Sequence, residues 1–130
     1  YATTKQASYV AGEDSTLIGS GSGANAISIW MILSKYGPNG WMEKIFILQK
    51  RTEWLCSQLD ELNVQYYRNK FSNIVTIDSS QIPADLVEMY GLVPDNHECP
   101  NWVKIVVMDH VSLEKMEPFI KSLKARSIMV

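Results

Sequence analysis

The sequence predicts an α+β domain in which helices pack on one face of a small, mostly antiparallel sheet. Three observations carry that expectation. An apolar stripe of Trp41, Ile45, Leu48, Thr52, Leu55, Leu59 and Leu62 alternates steps of four and three residues, the period of one helix face. β-Branched and aromatic runs follow it at Val64–Arg68, Ile74–Ile77 and Trp102–Met108. The resulting order is loop, two helices, two strands, helix, strand, helix, which lacks the regular strand–helix alternation of a parallel sheet.

Composition narrows the class. With 130 residues, 46% hydrophobic and 20% charged, the chain fits one modest globular domain rather than a disordered, collagen-like or coiled-coil one. Twelve basic and 14 acidic residues give a net charge of -2, so no phosphate-neutralising surface and no nucleic-acid partner are expected. Two cysteines, Cys56 and Cys99, make no disulfide framework, and a reduced, cytoplasmic compartment is the simpler expectation. Apolar runs are far shorter than a bilayer span, so no membrane partner is expected. The chain opens on Tyr1 without a signal-like stretch, which suggests a processed chain or a piece of a longer polypeptide.

Residues 1–25 are small and polar, hold four of the seven glycines, and read as loop with a short strand possible at Ser15–Ile18. A helix is expected from Ala24 to Tyr36, where Ala26, Ile29, Trp30, Leu33 and Tyr36 share one stripe. Ile27, Met31 and Ile32 lie off that stripe, so the helix is apolar around most of its circumference. Such a helix is buried on several sides, and a chain this short is hard pressed to bury it, which points to a missing partner surface. Gly37-Pro38 ends it. The Trp41–Leu62 helix carries Glu43, Lys44, Lys50, Arg51, Asp60 and Glu61 mostly opposite its stripe. It fits a sheet better than a coiled coil, because three heptads interrupted by Thr52 make a short seam. Trp30, Trp41 and Trp54 fall on the helical stripes and are assigned to the core.

Val64–Arg68 and Ile74–Ile77 then form a hairpin across the five residues Asn69–Asn73. Ile82–Gly91 is a short helix, with Pro83 near its start and Gly91 past its end. Leu92–Asn101 reads as a loop leading into the Trp102–Met108 strand. Ser112 is a good N-cap for a last helix bearing Leu113, Met116, Ile120 and Leu123. Pro118 removes a backbone donor from its interior, so a kink there or a start nearer Glu117 is expected.

Gly19-Ser20-Gly21-Ser22-Gly23-Ala24-Asn25 is the only motif with chemistry attached. Its glycines would let a backbone approach a phosphate, and a helix N-terminus follows. It fails as a dinucleotide fingerprint, lacking a convincing strand before it and a well-placed acid after it, and no Gly-Lys-Ser/Thr makes it a P-loop. The bland reading is a flexible entry to a helix. His97, Cys99, Asp109 and His110 match no close-paired metal spacing, so no metal site is expected, and no catalytic residue is assigned.

The series Asp14-Ser15-Thr16-Leu17-Ile18-Gly19-Ser20-Gly21-Ser22-Gly23, followed by Ile29-Trp30-Met31-Ile32-Leu33, resembles a known junction. It is similar to the G-S-R-x-G…L-W-x-x-L segment of group II pyridoxal-phosphate-dependent amino-acid decarboxylases, the histidine and plant-type serine enzymes above all. Asn101–Met108 with Val111–Met116 resembles their last strand and helix, so the likeness runs from Gly12 to about Leu123. It implies a fold-type I C-terminal small domain at 24–130, with residues 1–23 as an interface segment from the large-domain end. In that family the large domain holds pyridoxal phosphate and the Schiff-base Lys. Gly19, Ser20 and Gly21 would then reach the cofactor and substrate site of a second subunit in a homodimer. Ser20 matches the family's Ser, whereas Gly21 stands where an Arg is usual. The implied function is to shape the substrate pocket and dimer interface of a carboxy-lyase acting on an amino acid, without catalysing alone. The alternatives are a non-enzymatic interaction module derived from such an enzyme and a small nucleotide-binding domain.

Overall fold

A computed structural model describes residues 23–96 and 98–127. Its longest element, α1 (Gly23–Glu61), is helical throughout except at Gly37, whose φ of 61° and ψ of -179° break it into arms 23–36 and 38–61. Only glycine takes that conformation readily, and Pro38 supplies a fixed φ for restarting the helix. The expected stop at Gly37-Pro38 is therefore an elbow. Helix also begins at Gly23, one residue before the expected start at Ala24. At the other end, Asn63 adopts a φ of 55°, Val64 N–H donates to Leu59 O at 3.0 Å, and Asn63 N–H to Asp60 O at 3.0 Å. That is a Schellman cap with Asn in the left-handed position.

Strands β1 (Tyr66–Tyr67) and β2 (Ile74–Asp78) form the expected hairpin, with Tyr66 opposite Ile77. A 3-10 turn (Ser79–Gln81) leads to α2 (Ala84–Met89), closed by Gly91 at φ 61° with Leu92 N–H donating to Val87 O at 2.9 Å. Two residues then pair as β3 (Val93–Pro94) before β4 (Trp102–Val106). This corrects the loop expected over Leu92–Asn101. Pro94 hides the strand from propensity, yet a proline is tolerated where a strand lies at the sheet edge.

Sheet order is β1-β2-β4-β3, every pairing antiparallel. Alternation sends Val75 and Ile77 of β2, and Val103 and Ile105 of β4, to one face, where all four are buried. The helices cover that face. Leu55 and Leu59 of α1, Leu86 of α2, and Met116, Phe119, Ile120 and Leu123 of α3 (Leu113–Ser127) complete a single core. Arg126 donates to both carboxylate oxygens of Asp85, tying α3 to α2. The expected α+β layer is the observed one.

Two further corrections concern helices. α3 starts at Leu113, directly behind Ser112, whose carbonyl accepts from Lys115 and Met116 N–H at 3.1 Å each, and it runs through Pro118. Burial of Met116, Phe119, Ile120 and Leu123 on one side outweighs the lost donor, and Glu114 and Pro118 are exposed, so water can reach the orphaned carbonyl of Glu114. Trp30 is not core: it is 67% exposed, and Trp41 and Trp54 are half-buried. Ile45, on the expected stripe, is also exposed.

Candidate functional site

The feature that the fold leaves without a structural role is the N-terminal part of α1. No residue from 23 to 36 is buried. Ile27, Ile29, Trp30, Met31, Ile32 and Leu33 all stand in solvent, with Ile27 at 60%. The exposed apolar surface continues past the elbow through Met42, Ile45, Phe46 and Ile47, with Leu113 of α3 beside the last two. Isolated exposed hydrophobes are ordinary, but a run of this extent marks an interaction surface. Returning each large side chain to an apolar environment stabilises by about 1.5–3 kcal/mol.

The elbow is held by named contacts. Tyr36, the last residue before Gly37, packs edge to face on Trp41, with centroids 5.5 Å apart and an interplanar angle of 75°. Lys44 Nζ lies 4.7 Å from the Tyr36 ring centroid and donates to Asp109 Oδ2 at 2.7 Å. Its hydrogen bond to Asp109 raises the Lys44 pKa above the ordinary value, and the same bond holds the Asp109 carboxyl below its own. Arg51 Nη1 donates to the carbonyls of Asp109 at 3.0 Å and Val111 at 3.4 Å. Together these fasten the β4–α3 loop to the second arm and set where the first arm leaves the domain. At its root, the buried Nε1 of Trp41 finds no acceptor among the described residues. Gly40 faces Tyr36 closely; a Cβ there would come within 3.2 Å of the Tyr36 Cβ.

A second cluster joins the other half of α1 to the hairpin. The Tyr66 hydroxyl donates to Asp60 Oδ2 at 3.2 Å, and its pKa is pushed up to about 12, chiefly by burial and then by neighbouring Cys56. Burial likewise raises the Cys56 thiol, so this is a packed, unreactive cysteine rather than a nucleophile.

Gly19, Ser20 and Gly21, the glycine-loop residues assigned to a cofactor, lie outside the described residues, as does His97. Of the other residues weighed for a metal, Cys99 is exposed, Asp109 is engaged by Lys44, and His110 is exposed next to it. Among the described residues no group of three His, Cys, Asp or Glu could hold a metal ion, and no helix is long and apolar enough to cross a membrane. The exposed arm was signalled in the sequence by its all-round apolarity; the elbow contacts were not, because Lys44 and Asp109 stand 65 residues apart.

Comparison with known proteins gives the relatives of this chain. No family model matches the chain. Tryptophan decarboxylase of Clostridium sporogenes is 48% identical over 122 residues, covering 93% of this chain and 29% of that protein. The chain is a homologue of a C-terminal portion of the group II amino-acid decarboxylases. Serine decarboxylase 2 of Oryza sativa subsp. japonica is 32% identical over 117 residues, covering 88% of the chain and 24% of that enzyme. L-Aspartate decarboxylase of Thermococcus kodakarensis is 27% identical, covering 91% and 32% respectively. The chain thus spans a third or less of the length of these decarboxylases. The fold agrees: L-methionine decarboxylase of Streptomyces sp. 590 superposes with a TM-score of 0.60 at 24% identity, over 94% of this chain and 26% of that one. The homologous decarboxylases depend on pyridoxal phosphate.

Proposed function

We propose that this chain is the C-terminal small domain of a pyridoxal-phosphate-dependent amino-acid decarboxylase, and that its apolar arm seats the domain against the rest of that enzyme. The observation carrying the proposal is the conjunction of 48% identity to one portion of a decarboxylase with an arm whose large apolar side chains no described residue buries. Pyridoxal phosphate supplies an electron sink for the pair left behind when carbon dioxide departs from an amino acid. The described residues do not build a cradle for it. The cleft lined by Lys104 and Lys115 has no carboxylate to pair with a pyridine nitrogen, and the shallow one at Lys50 is open to solvent between exposed Phe46, Ile47 and Leu113. No step of the reaction is therefore assigned to them.

In this reading the domain's work is positional. Arm 23–36 and the adjoining Met42, Phe46 and Ile47 pack on the large domain and a second subunit. The segment Gly19, Ser20 and Gly21 immediately precedes the arm, so seating the arm delivers that segment to the substrate pocket. The elbow contacts Tyr36–Trp41 and Lys44–Asp109 set the angle of delivery.

The test is a chimera. The chain replaces the corresponding 122-residue portion of the Clostridium tryptophan decarboxylase, and release of carbon dioxide from tryptophan is followed with added pyridoxal phosphate. Activity in the chimera and none in the isolated chain is the expected pair of results. A well-folded chimera that loads cofactor but fails to assemble or turn over overturns the proposal, and so does turnover by the chain alone. In the same chimera, Trp30→Asp should block assembly while leaving the isolated chain folded.

A further inference from the structure

Away from the arm, a cleft of ≈ 580 Å³ runs along the edge of β4. Its existence follows from sheet register. Val107 N–H donates to Asn73 O at 2.8 Å, so residues 103, 105 and 107 direct their backbone groups toward β2. Trp102 and Lys104 face the other way: Asp95 N–H donates to Trp102 O at 2.9 Å, and Lys104 stands opposite Val93. Val106 is next on that side. Its partner would be residue 91, but Gly91 at φ 61° turns its amide back to Glu88 O at 3.2 Å. One N–H and one C=O of Val106 are thus directed where β3 has ended, into the cleft.

The walls suit an apolar group. Leu55, Met116 and Phe119 form the helix-side floor, and Met89 and Met108 flank it with adaptable side chains. The rim is of one sign: Lys104, His110 and Lys115 line the cleft and no Asp or Glu does, in a chain whose net charge is -2. Among the described residues neither Lys104 nor Lys115 takes part in an ion pair, whereas Lys44, Lys50, Lys121 and Arg126 do. The volume lies within the range of small-molecule sites, about 300–1,000 Å³.

We propose that this cleft is a binding site for a small apolar carboxylate that carries an amide, of the size of an N-acylated amino acid. The side chain enters the floor, the carboxylate meets Lys115 on the helix side, Lys104 across the strand edge adds to the same positive field, and the amide exchanges hydrogen bonds with Val106. A single free N–H/C=O pair matches one residue's worth of backbone, which favours such a molecule over an extended strand. The cleft takes no lining residue from arm 23–36, so its test is independent of the decarboxylase reading.

The probe is N-acetyl-L-phenylalanine, titrated into the 130-residue chain and followed by amide chemical shifts. Saturable shifts centred on Gly91, Val106 and Val111 are expected. The neutral N-acetyl-L-phenylalaninamide should bind about tenfold more weakly, because the charge-assisted contacts are gone. The double variant Lys104→Met/Lys115→Met should lose about the same factor for the acid and nothing for the amide. Equal binding of acid and amide, shifts mapping elsewhere, or no saturation up to about 10 mM would overturn the assignment.

Discussion

Between residues 23 and 36, α1 carries Ile27, Ile29, Trp30, Met31, Ile32, Leu33 and Tyr36 and buries none of them; between residues 48 and 61 it buries Thr52, Leu55, Cys56 and Leu59. The first stretch is the more apolar of the two. What separates them is the surface opposite: the second lies over β2 and α3, and the first extends beyond the sheet with no described element across from it. Hydrophobicity makes burial favourable, but only a facing surface makes it happen. A helix more apolar than the described residues cover is what the proposed docking of the arm explains.

The sharpest way to break that contrast is a pair of truncations in the isolated chain. Leu59→Ala removes a fully buried side chain and should destabilise by about 2–5 kcal/mol in urea unfolding, through lost transfer energy plus a cavity. Trp30→Ala removes a larger side chain yet should shift stability by no more than about 0.5 kcal/mol. Comparable losses would show that the arm is packed in solution and would sink the docking proposal. In the chimera the order should invert for function, with Trp30→Ala impairing assembly.

The joint between the halves comes next. Alanine at position 37 would have to hold φ 61° with ψ -179°, a region almost closed to L-residues that costs about 1–3 kcal/mol. Gly37→Ala should lower stability by that amount or swing the arm into a straight continuation. A distance label on residue 26 paired with one on residue 70 tells these apart. No change in either quantity would mean that the elbow is not a fixed feature.

How far the contrast could be read from residues alone differs by level. The Trp41–Leu62 stripe is legible because helix period is local. Where the sheet stops beneath it is not, so Ile45 and Leu59 look alike in sequence although one is exposed and the other sealed. Trp30 reads as core for the same reason: period places an aromatic on a stripe without showing whether any surface faces it. β3 escaped because two residues, one of them Pro94, carry no periodicity, and Pro118 misled because α3's buried face outweighs a local rule. The β4 cleft was illegible, since Lys104, His110 and Lys115 converge only through register and the start of α3. Resemblance of motifs indicated the family, which spacing and composition did not reach.

The buried half also carries its own reporter. Because Tyr66 titrates near 12 in the fold and near 10 when exposed, the folded chain binds more protons between those values. Stability from this group is therefore complete below pH 10 and is lost as pH rises toward about 12. Phenolate absorbance should show one tyrosine ionising late, and Tyr66→Phe should remove that step. Cys56→Ala should bring it down, since the thiol's charge and hydrogen bond both help hold the phenol neutral.

The smallest expected effect lies at the exposed elbow. Asp109 is held low by Lys44, so its contribution is present above the ordinary carboxylate pKa of 3.8 and fades as pH falls through the lowered value. Lys44 is raised by the same bond, so its contribution is present below 10.5 and fades as pH climbs through the raised value. Between those limits the pair is intact and stability should be flat in pH on its account. Both groups are solvent-screened, so Asp109→Asn should barely move the urea midpoint. Its effect should appear instead as faster amide exchange at residues 36–41, where Lys44 bridges Tyr36 and the β4–α3 loop. Salt should weaken the wild-type protection there and leave Asp109→Asn unchanged. If exchange at the elbow is indifferent to both, Lys44 and Asp109 do not set the arm's direction, and the Tyr36–Trp41 contact with Gly37 must do so unaided.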